Sequence, residues 1–453
     1  MRVAVIGGGI SGLTTAFLLK RKGFEVTVFE GAGKVGGNVQ TIQKDGFTIE
    51  QGPNSLLKSP RLVELVRMLG LDEQVIPADP VAKKRYILWK GKLEAMGPAS
   101  FVNGYFSLKT LFALAREPFV RSKSPKNESV AEFVSRRISS EFLDKAIDPF
   151  VSGVYAGDPH DLSMRSAFPK LYEMERDFGS LIMGTLRRKA GKPDPNFPRT
   201  FSFRGGLKTL IDKLAAEIGE GSIKVGTPVD EIEAVAGGGF RVNGQQFNAV
   251  IISTPAWVAS RLIHRRDPDL AELLAGVNYP PVAVAVTGYR SENIGRNLDG
   301  FGFLIPSKEK RPILGTLFHS AVFPERAPQG YKLLMTFIGG VRDEGRLDKM
   351  SDTDVKALIG RQLGELLNAK GEPELFHLKR WKRAIPQYRV GYEHVIEKCS
   401  EFEKNYPGIY FCSNFYRGVS MGDCVKNAFQ TADAVESYMR SAPNRTVAAA
   451  AKS

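Results

Sequence analysis

A glycine-rich turn near the N-terminus limits what this chain can fold into more than any other stretch. Residues 2–6 (RVAVI) are a short apolar run rich in β-branched side chains, and they stop at Gly7-Gly8-Gly9-Ile10-Ser11-Gly12, a G-x-G-x-x-G. Leu13, Ala16, Phe17 and Lys20 then recur at helical spacing, Gly23 closes that segment, and residues 25–29 (EVTVF) read as a second strand ending at Glu30. Each residue type has a task in such a strand-turn-helix. Gly7 permits the tight turn, Gly9 lets the backbone approach a pyrophosphate, and Gly12 allows helix and strand to pack closely. The free N–H groups of the first helical turn, at Ile10 and Ser11, add the positive end of the helix dipole. Glu30, placed at the end of the second strand, can accept hydrogen bonds from the ribose hydroxyls of an adenosine. A lone glycine motif often marks only a turn, but strand, helix, second strand and acid in this order predict a dinucleotide-binding unit.

A second glycine cluster, Gly31-Ala32-Gly33-Lys34-Val35-Gly36-Gly37-Asn38, follows the acid directly. A simple dehydrogenase would start another helix here. The cluster resembles the second glycine motif of the amine-oxidase-like flavoproteins, which implies FAD as cofactor, with Gly36 and Gly37 adding backbone contacts. Lys34 and Asn38 stand where many such proteins carry arginine.

With 453 residues, 43% of them hydrophobic, the chain can bury a large core in two or three domains. Cys399, Cys412 and Cys424 form no paired motif, and the five histidines are scattered, so neither a disulfide framework nor a metal site is expected. The first strand begins at residue 2, so no targeting segment is expected ahead of it, and no apolar run is long enough to span a bilayer. The net charge of +14 favours an anionic surface or polyanionic substrate, and no nucleic-acid motif accompanies it.

Along the chain, residues 47–51 read as a strand followed by a turn at Gly52-Pro53-Asn54-Ser55. Lys83, Lys84 and Arg85 precede an alternating strand, residues 86–89, and a hairpin turn at residues 90–92. From residue 97 to 188 the pattern is mainly helical. Leu108, Leu111, Phe112, Ala115 and Phe119 share one helix face, expected to cover a core, with interfacial membrane contact as the alternative. Residues 191–199 hold three prolines and read as a flexible link. Three strands separated by glycine turns are expected across residues 223–252, and further strands across residues 282–340. Residues 408–415 form a last strand, leading through a glycine-bearing loop to a helix for which Asp423 is the expected N-cap.

The segments VIGGGISGL, VGGNVQT, EQGPNSL, DPFVSGVYAGDPHDLSMRSAFP, GFGFLIP, RWKRAIPQY and YRGVSMGDC together resemble the oxygen-dependent protoporphyrinogen oxidases, including the bacterial branch that oxidises coproporphyrinogen III. The similarity runs from residue 1 to about residue 440, and residues 148–169 are its most specific part. It implies an α/β and α+β fold: a Rossmann-type, amine-oxidase-like FAD-binding domain, a mixed-sheet substrate domain and a helical membrane-binding domain. The FAD domain would comprise residues 1–80, 196–265 and 376–440, the substrate domain residues 81–94 and 266–375, the membrane-binding domain residues 95–195, and residues 441–453 a flexible tail.

The resemblance also implies roles. Gly7, Gly9, Ile10, Ser11, Gly12, Glu30, Gly36, Gly37, Gly52, Pro53, Asn54, Ser55, Val229, Trp381, Val419, Ser420 and Met421 would line FAD. Arg85 would pair with a substrate propionate, while Gly153, Ala156, Phe301, Leu304 and Phe337 would enclose the tetrapyrrole. Some relatives have a second cavity arginine that is missing around Asn54-Ser55-Leu56, which leaves Lys58 or Lys84 for a second propionate. No catalytic acid or base stands out, and flavin N5 would do the chemistry, removing six electrons from a porphyrinogen and passing them to dioxygen as hydrogen peroxide. The alternatives are a flavin amine oxidase or carotenoid-type desaturase, or a flavin-carrying haem-assembly protein without turnover. A cytoplasmic place, peripheral on the inner face of the cell membrane, fits the resemblance. A homodimer and a hand-over of product to ferrochelatase stay open.

Overall fold

The computed structural model describes residues 1–187, 194–195, 197–343 and 345–450, so the expected link at residues 191–199 falls partly outside the described residues. One parallel sheet runs in the order Ile223–Lys224, Glu25–Phe29, Arg2–Ile6, Ala249–Ile252, Ile409–Phe411. Val3 to Ile6 and all of Ala249–Ile252 are buried. A parallel strand covered on both faces has no wet side, which is why these segments are unbroken apolar runs. Helix Ile10–Arg21 is wedged between the sheet and helices Lys208–Ile218 and Met421–Ala450. Leu13 and Leu19 in it are fully enclosed, each contributing about 1.5–3 kcal/mol.

From Arg2–Ile6 the chain passes first to Glu25–Phe29 on one side and much later to Ala249–Ile252 on the other. The strand order therefore reverses beside the first strand, and open α/β sheets bind ligands in the crevice at such a point. Gly7 sits there with φ +112°, and a Cβ on it would come within 2.7 Å of the Ser253 carbonyl oxygen. Only glycine fits.

A second, seven-stranded sheet runs Leu375–Trp381, Val282–Arg290, Tyr331–Gly339, Gly315–Leu317, Gly302–Leu304, Arg85–Trp89, Lys92–Met96. Ala283, Ala285, Phe303 and Ile338 on one face cluster with Val355, Ile359 and Leu363 of helix Asp352–Leu367. Val284, Val286, Leu333 and Met335 on the other meet Phe47 and Ile49, from the hairpin that follows the second glycine cluster. The expected hairpin is formed by Arg85–Trp89 and Lys92–Met96, with Lys90 and Gly91 both at positive φ, the geometry that matches strand twist in a two-residue turn.

Two expectations change. Residues 223–252 contain five strand segments instead of three. Ile223–Lys224 and Ala249–Ile252 join the parallel sheet, while Ile232–Ala234, Phe240–Val242 and Gln245–Phe247 make a separate antiparallel one. Helix Leu108–Arg116 does not cover a core, because Leu108, Phe112 and Phe119 are 84%, 70% and 79% exposed. The helix is held by its polar side: Ser107 caps it, and Thr110, its buried residue, donates to the Glu141 carboxylate at 2.6 Å. The last element is helix Met421–Ala450. Among the described residues no helix is long and apolar enough to cross a membrane.

Candidate active site

Strand Arg2–Ile6 delivers the glycine turn to the crevice, and helix Ile10–Arg21 starts with Gly9 in extended backbone and no side-chain cap. Among the described residues no acceptor meets the amides of Ile10, Ser11 and Gly12. A Cβ on Gly9 would have no atom within 4 Å, whereas one on Gly12 would lie 2.0 Å from the Gly7 carbonyl oxygen. Three unmet donors around an open glycine, at the positive end of a buried helix, suit a pyrophosphate. Glu30 is held beside them: its carboxylate accepts from the Gly8 amide and from the Ala32 amide, each at 2.7 Å. Val229 is buried close by, in a segment where Thr227 donates to the Glu30 carbonyl and Pro228 packs on Gly31.

The second glycine cluster folds back onto the first. The Gly36 amide donates to the Gly8 carbonyl at 2.8 Å and Gly36 forms a bridge with Gly9. Gly37, at φ +56°, would put a Cβ 3.5 Å from the Gly9 Cα. Gly52 is equally confined, its missing Cβ falling 2.3 Å from the Asn38 carbonyl oxygen. Pro53, Asn54 and Ser55 follow, and the Ser55 hydroxyl donates to the Asn54 side chain at 2.9 Å. Trp381 clamps this loop, donating its indole N–H to the Gln51 carbonyl at 2.7 Å.

Helix Met421–Ala450 points its start at the same place. Its cap is Ser420 and not Asp423: the Asp423 amide donates to the Ser420 hydroxyl at 3.1 Å, and that hydroxyl donates to the Asp423 carboxylate at 2.5 Å. The acid is the first-turn partner of the cap, the usual place for negative charge on a helix dipole. Ser11 faces the Cys424 thiol, and a Cβ on Gly422 would lie 3.6 Å from the Ser59 hydroxyl. The N-termini of two helices and the loop at residues 52–59 thus converge, with Val419, Ser420 and Met421 leading into the second helix. These groups fit FAD.

The substrate side is organised by register. Leu304 pairs with Gly315, Gly315 with Phe337, and Phe337 with Val284, across four neighbouring strands. Residues paired directly across strands share a face, as do alternate residues along a strand. Ile87 pairs with Leu304 and Trp381 with Val282, so Arg85, Leu304, Phe337 and Trp381 all project from one face of the seven-stranded sheet. Gly315 lets the strands of Leu304 and Phe337 close up on it, since a Cβ there would strike the Phe303 carbonyl oxygen at 2.4 Å. Sequence reasoning missed Gly315. The available signal was a glycine inside a strand, which marks close approach.

Gly153 borders the same face, its missing Cβ 2.6 Å from a methyl of Leu304. Ala156 ends helix Asp148–Tyr155 in the left-handed conformation and clusters with Phe337 and Trp381. Phe301 carries the Arg85 guanidinium 5.1 Å above its ring. The two lysines expected to help are otherwise engaged. Lys84 is ion-paired with Asp299 at 2.5 Å, and Lys58 donates to the carbonyls of Asp194 and Phe197, each at 2.8 Å. His319, expected as a surface or core histidine, is buried beside the Asn54 backbone. Burial, and then the Arg326 charge, push its pKa down to about 3.

The family model described as flavin containing amine oxidoreductase matches residues 10–436. The mitochondrial protoporphyrinogen oxidase of Nicotiana tabacum is 34% identical, over 97% of this chain and 95% of that protein. The coproporphyrinogen III oxidase of Bacillus subtilis is 30% identical, over 93% and 95%. The crystal structure of a proposed protoporphyrinogen oxidase from Exiguobacterium sp. shares the fold with a TM-score of 0.78 and 24% identity, over 96% of this chain and 98% of that one. With the family model matched over residues 10–436 and this similarity along nearly its whole length, the chain belongs to the protoporphyrinogen oxidase family of flavin-containing amine oxidoreductases.

Proposed function

We propose that this chain oxidises a porphyrinogen, protoporphyrinogen IX or coproporphyrinogen III, to the porphyrin in haem biosynthesis, with FAD as cofactor, dioxygen as acceptor and hydrogen peroxide as by-product. The relatives named for these oxidations align over nearly the whole chain. The observation that carries the reading is the common sheet face of Arg85, Leu304, Phe337 and Trp381. A porphyrinogen is a broad apolar macrocycle with carboxylate arms, and this face offers apolar side chains with a cation at either side, Arg85 at one edge and Lys379 over the Trp381 ring. A desaturase acting on a hydrocarbon would have no use for those cations.

When bound, the flavin supplies the redox chemistry. The chain's own residues bind and orient. The amides of Ile10, Ser11 and Gly12 hold the pyrophosphate, Glu30 takes the ribose, and Trp381 fixes the loop at residues 52–55. Leu304 and Phe337 press the macrocycle into one position and exclude water, which is how positioning lowers a barrier. Protons from the pyrrole N–H groups leave to solvent.

Anaerobic mixing with each porphyrinogen, followed by flavin absorbance, tests the reading. Bleaching is expected with at least one of them, and a fully flavinated protein that stays yellow with all of them refutes it. Arg85→Ala should raise KM about tenfold or more, the loss of one charge-assisted bond. An amine oxidase or desaturase would be indifferent to that change, and a passive flavin carrier would show no steady oxygen uptake.

The proposal divides the molecule into the FAD domain around the parallel sheet, the substrate domain around the seven-stranded sheet, and a membrane-binding helical domain between residues 95 and 195. The outward apolar side chains Leu108, Phe112 and Phe119 support peripheral attachment to the inner face of the cell membrane. A homodimer and hand-over of the porphyrin to ferrochelatase complete the reading, with light scattering and co-sedimentation as their tests.

A further inference from the structure

Strand Leu375–Trp381 is an edge of the seven-stranded sheet, and alternate residues along it share a face. Trp381 stands on the substrate face, so Lys379 and His377 stand there too. Lys379 pairs with Val284, Val284 with Phe337, Phe337 with Gly315, Gly315 with Leu304, and Leu304 with Ile87. One row of paired positions thus runs from Lys379 to the strand that carries Arg85. The neighbouring Arg380 projects from the opposite face and is ion-paired with Asp352 at 2.9 Å.

Gln51 sets the direction of Lys379. Its side-chain amide donates to Nε2 of His377 at 2.7 Å, and its carbonyl accepts from the Trp381 indole, also at 2.7 Å. The positions on either side of Lys379 are therefore covered, and the lysine extends along Trp381 with its ammonium 4.5 Å from the ring centroid. Stacking on a ring attracts the charge without occupying all of its three N–H donors. Among the described residues no carboxylate lies within ion-pair distance of Lys379. His377 supplies no counter-charge: burial, then the charges of Lys44 and Lys379, hold its pKa below the ordinary value. A half-buried ammonium on the substrate face, backed by an aromatic ring and lacking an acid, is open to an anion.

Arg85 and Lys379 lie five strand spacings apart, about 24 Å at the backbone. Two acids on adjacent pyrroles are too close together to reach both cations, whereas acids on opposite sides of a tetrapyrrole are not. We propose that Lys379 is a specificity-determining residue that binds a carboxylate on the side of the macrocycle away from Arg85, and so selects tetrapyrroles with acids on opposite sides. The inference rests on the porphyrinogen reading and deepens it. Coproporphyrinogen III has an acid on every pyrrole, and protoporphyrinogen IX has both of its acids on adjacent pyrroles.

The test uses the full-length, FAD-loaded protein with each porphyrinogen, following porphyrin fluorescence in air. Lys379→Met keeps the length that lies along Trp381 and removes the charge. It should lower kcat/KM for coproporphyrinogen III about tenfold relative to kcat/KM for protoporphyrinogen IX, the loss of one charged contact. The fall should lie in KM, and Lys379→Arg should recover part of it. Flavin content and melting temperature establish that the variants are folded, and if methionine loses the flavin, Lys379→Gln is read in the same way. A ratio within twofold of the unaltered protein overturns the contact and leaves the oxidase reading standing, as does an unaltered protein that oxidises protoporphyrinogen IX alone. Where only coproporphyrinogen III is oxidised, its KM carries the test with the same limits. No turnover of either by the flavin-loaded unaltered protein overturns both readings.

Discussion

Gly9→Ala separates the demand of the cofactor from the demand of the fold. Gly9 has φ −77° and ψ −178°, backbone that alanine adopts without strain, and its Cβ would meet nothing within 4 Å. The substitution replaces glycine at a helix N-cap, a loss of about 0.5–1 kcal/mol. It also stiffens the unfolded chain, a gain of about 0.4–1 kcal/mol. These nearly cancel, so the apoprotein should melt within about 2 °C of the unaltered apoprotein. Cofactor affinity should behave differently, because the methyl group would stand in the space bounded by the free amides of Ile10, Ser11 and Gly12. Losing even one charge-assisted bond to a phosphate costs about 1.5–3 kcal/mol, roughly 10- to 150-fold in Kd. The assay is titration of apoprotein with FAD by flavin fluorescence quenching, beside thermal melts of both apoproteins. A variant that binds FAD within threefold of the unaltered protein would refute the placement of the pyrophosphate over Gly9.

Gly12→Ala should fail in the other way: its Cβ would lie 2.0 Å from the Gly7 carbonyl oxygen, so the apoprotein itself should lose about 1–3 kcal/mol or more, and an unchanged apoprotein melt would contradict the close helix-strand packing. His319 sets an acid limit on stability. Its pKa falls from 6.5 to about 3 in the fold, so the unfolded chain binds the extra proton first and stability drops as pH falls below about 6.5. At pH 5 this amounts to roughly 2 kcal/mol. Denaturant unfolding of His319→Asn should show a shallower loss between pH 7 and pH 5, and an identical pH slope would refute it. Replacing Leu108 and Phe112 together by glutamate should abolish flotation with anionic liposomes while leaving turnover in detergent unchanged; retained flotation would place the membrane contact elsewhere.

The nucleotide cradle was readable along the chain because it is local. Gly7, Gly9, Gly12 and Glu30 act within one strand-helix-strand unit, and turn geometry and helix spacing are short-range properties. The hairpin beginning at Arg85 and the helix after Ser420 were legible for the same reason, though the cap itself passed from Asp423 to Ser420 once the hydroxyl was seen to accept the Asp423 amide. Local pattern could not tell which way an amphipathic helix faces. Leu108, Phe112 and Phe119 have the spacing of a core face, and only the polar contacts around Thr110 and Glu141 turn them outward.

Only the tertiary structure decided how the substrate face is made. Arg85, Leu304, Gly315, Phe337 and Trp381 come from five strands, and what unites them is cross-strand register, which depends on pairings between residues far apart in the chain. The same holds for charge. Lys58, Lys84 and Arg85 are equivalent cations in a sequence, but Asp299 and backbone carbonyls engage the two lysines, while Arg85 lies over the Phe301 ring. A side chain's type is written in the chain, whereas its free valence depends on what folding places beside it.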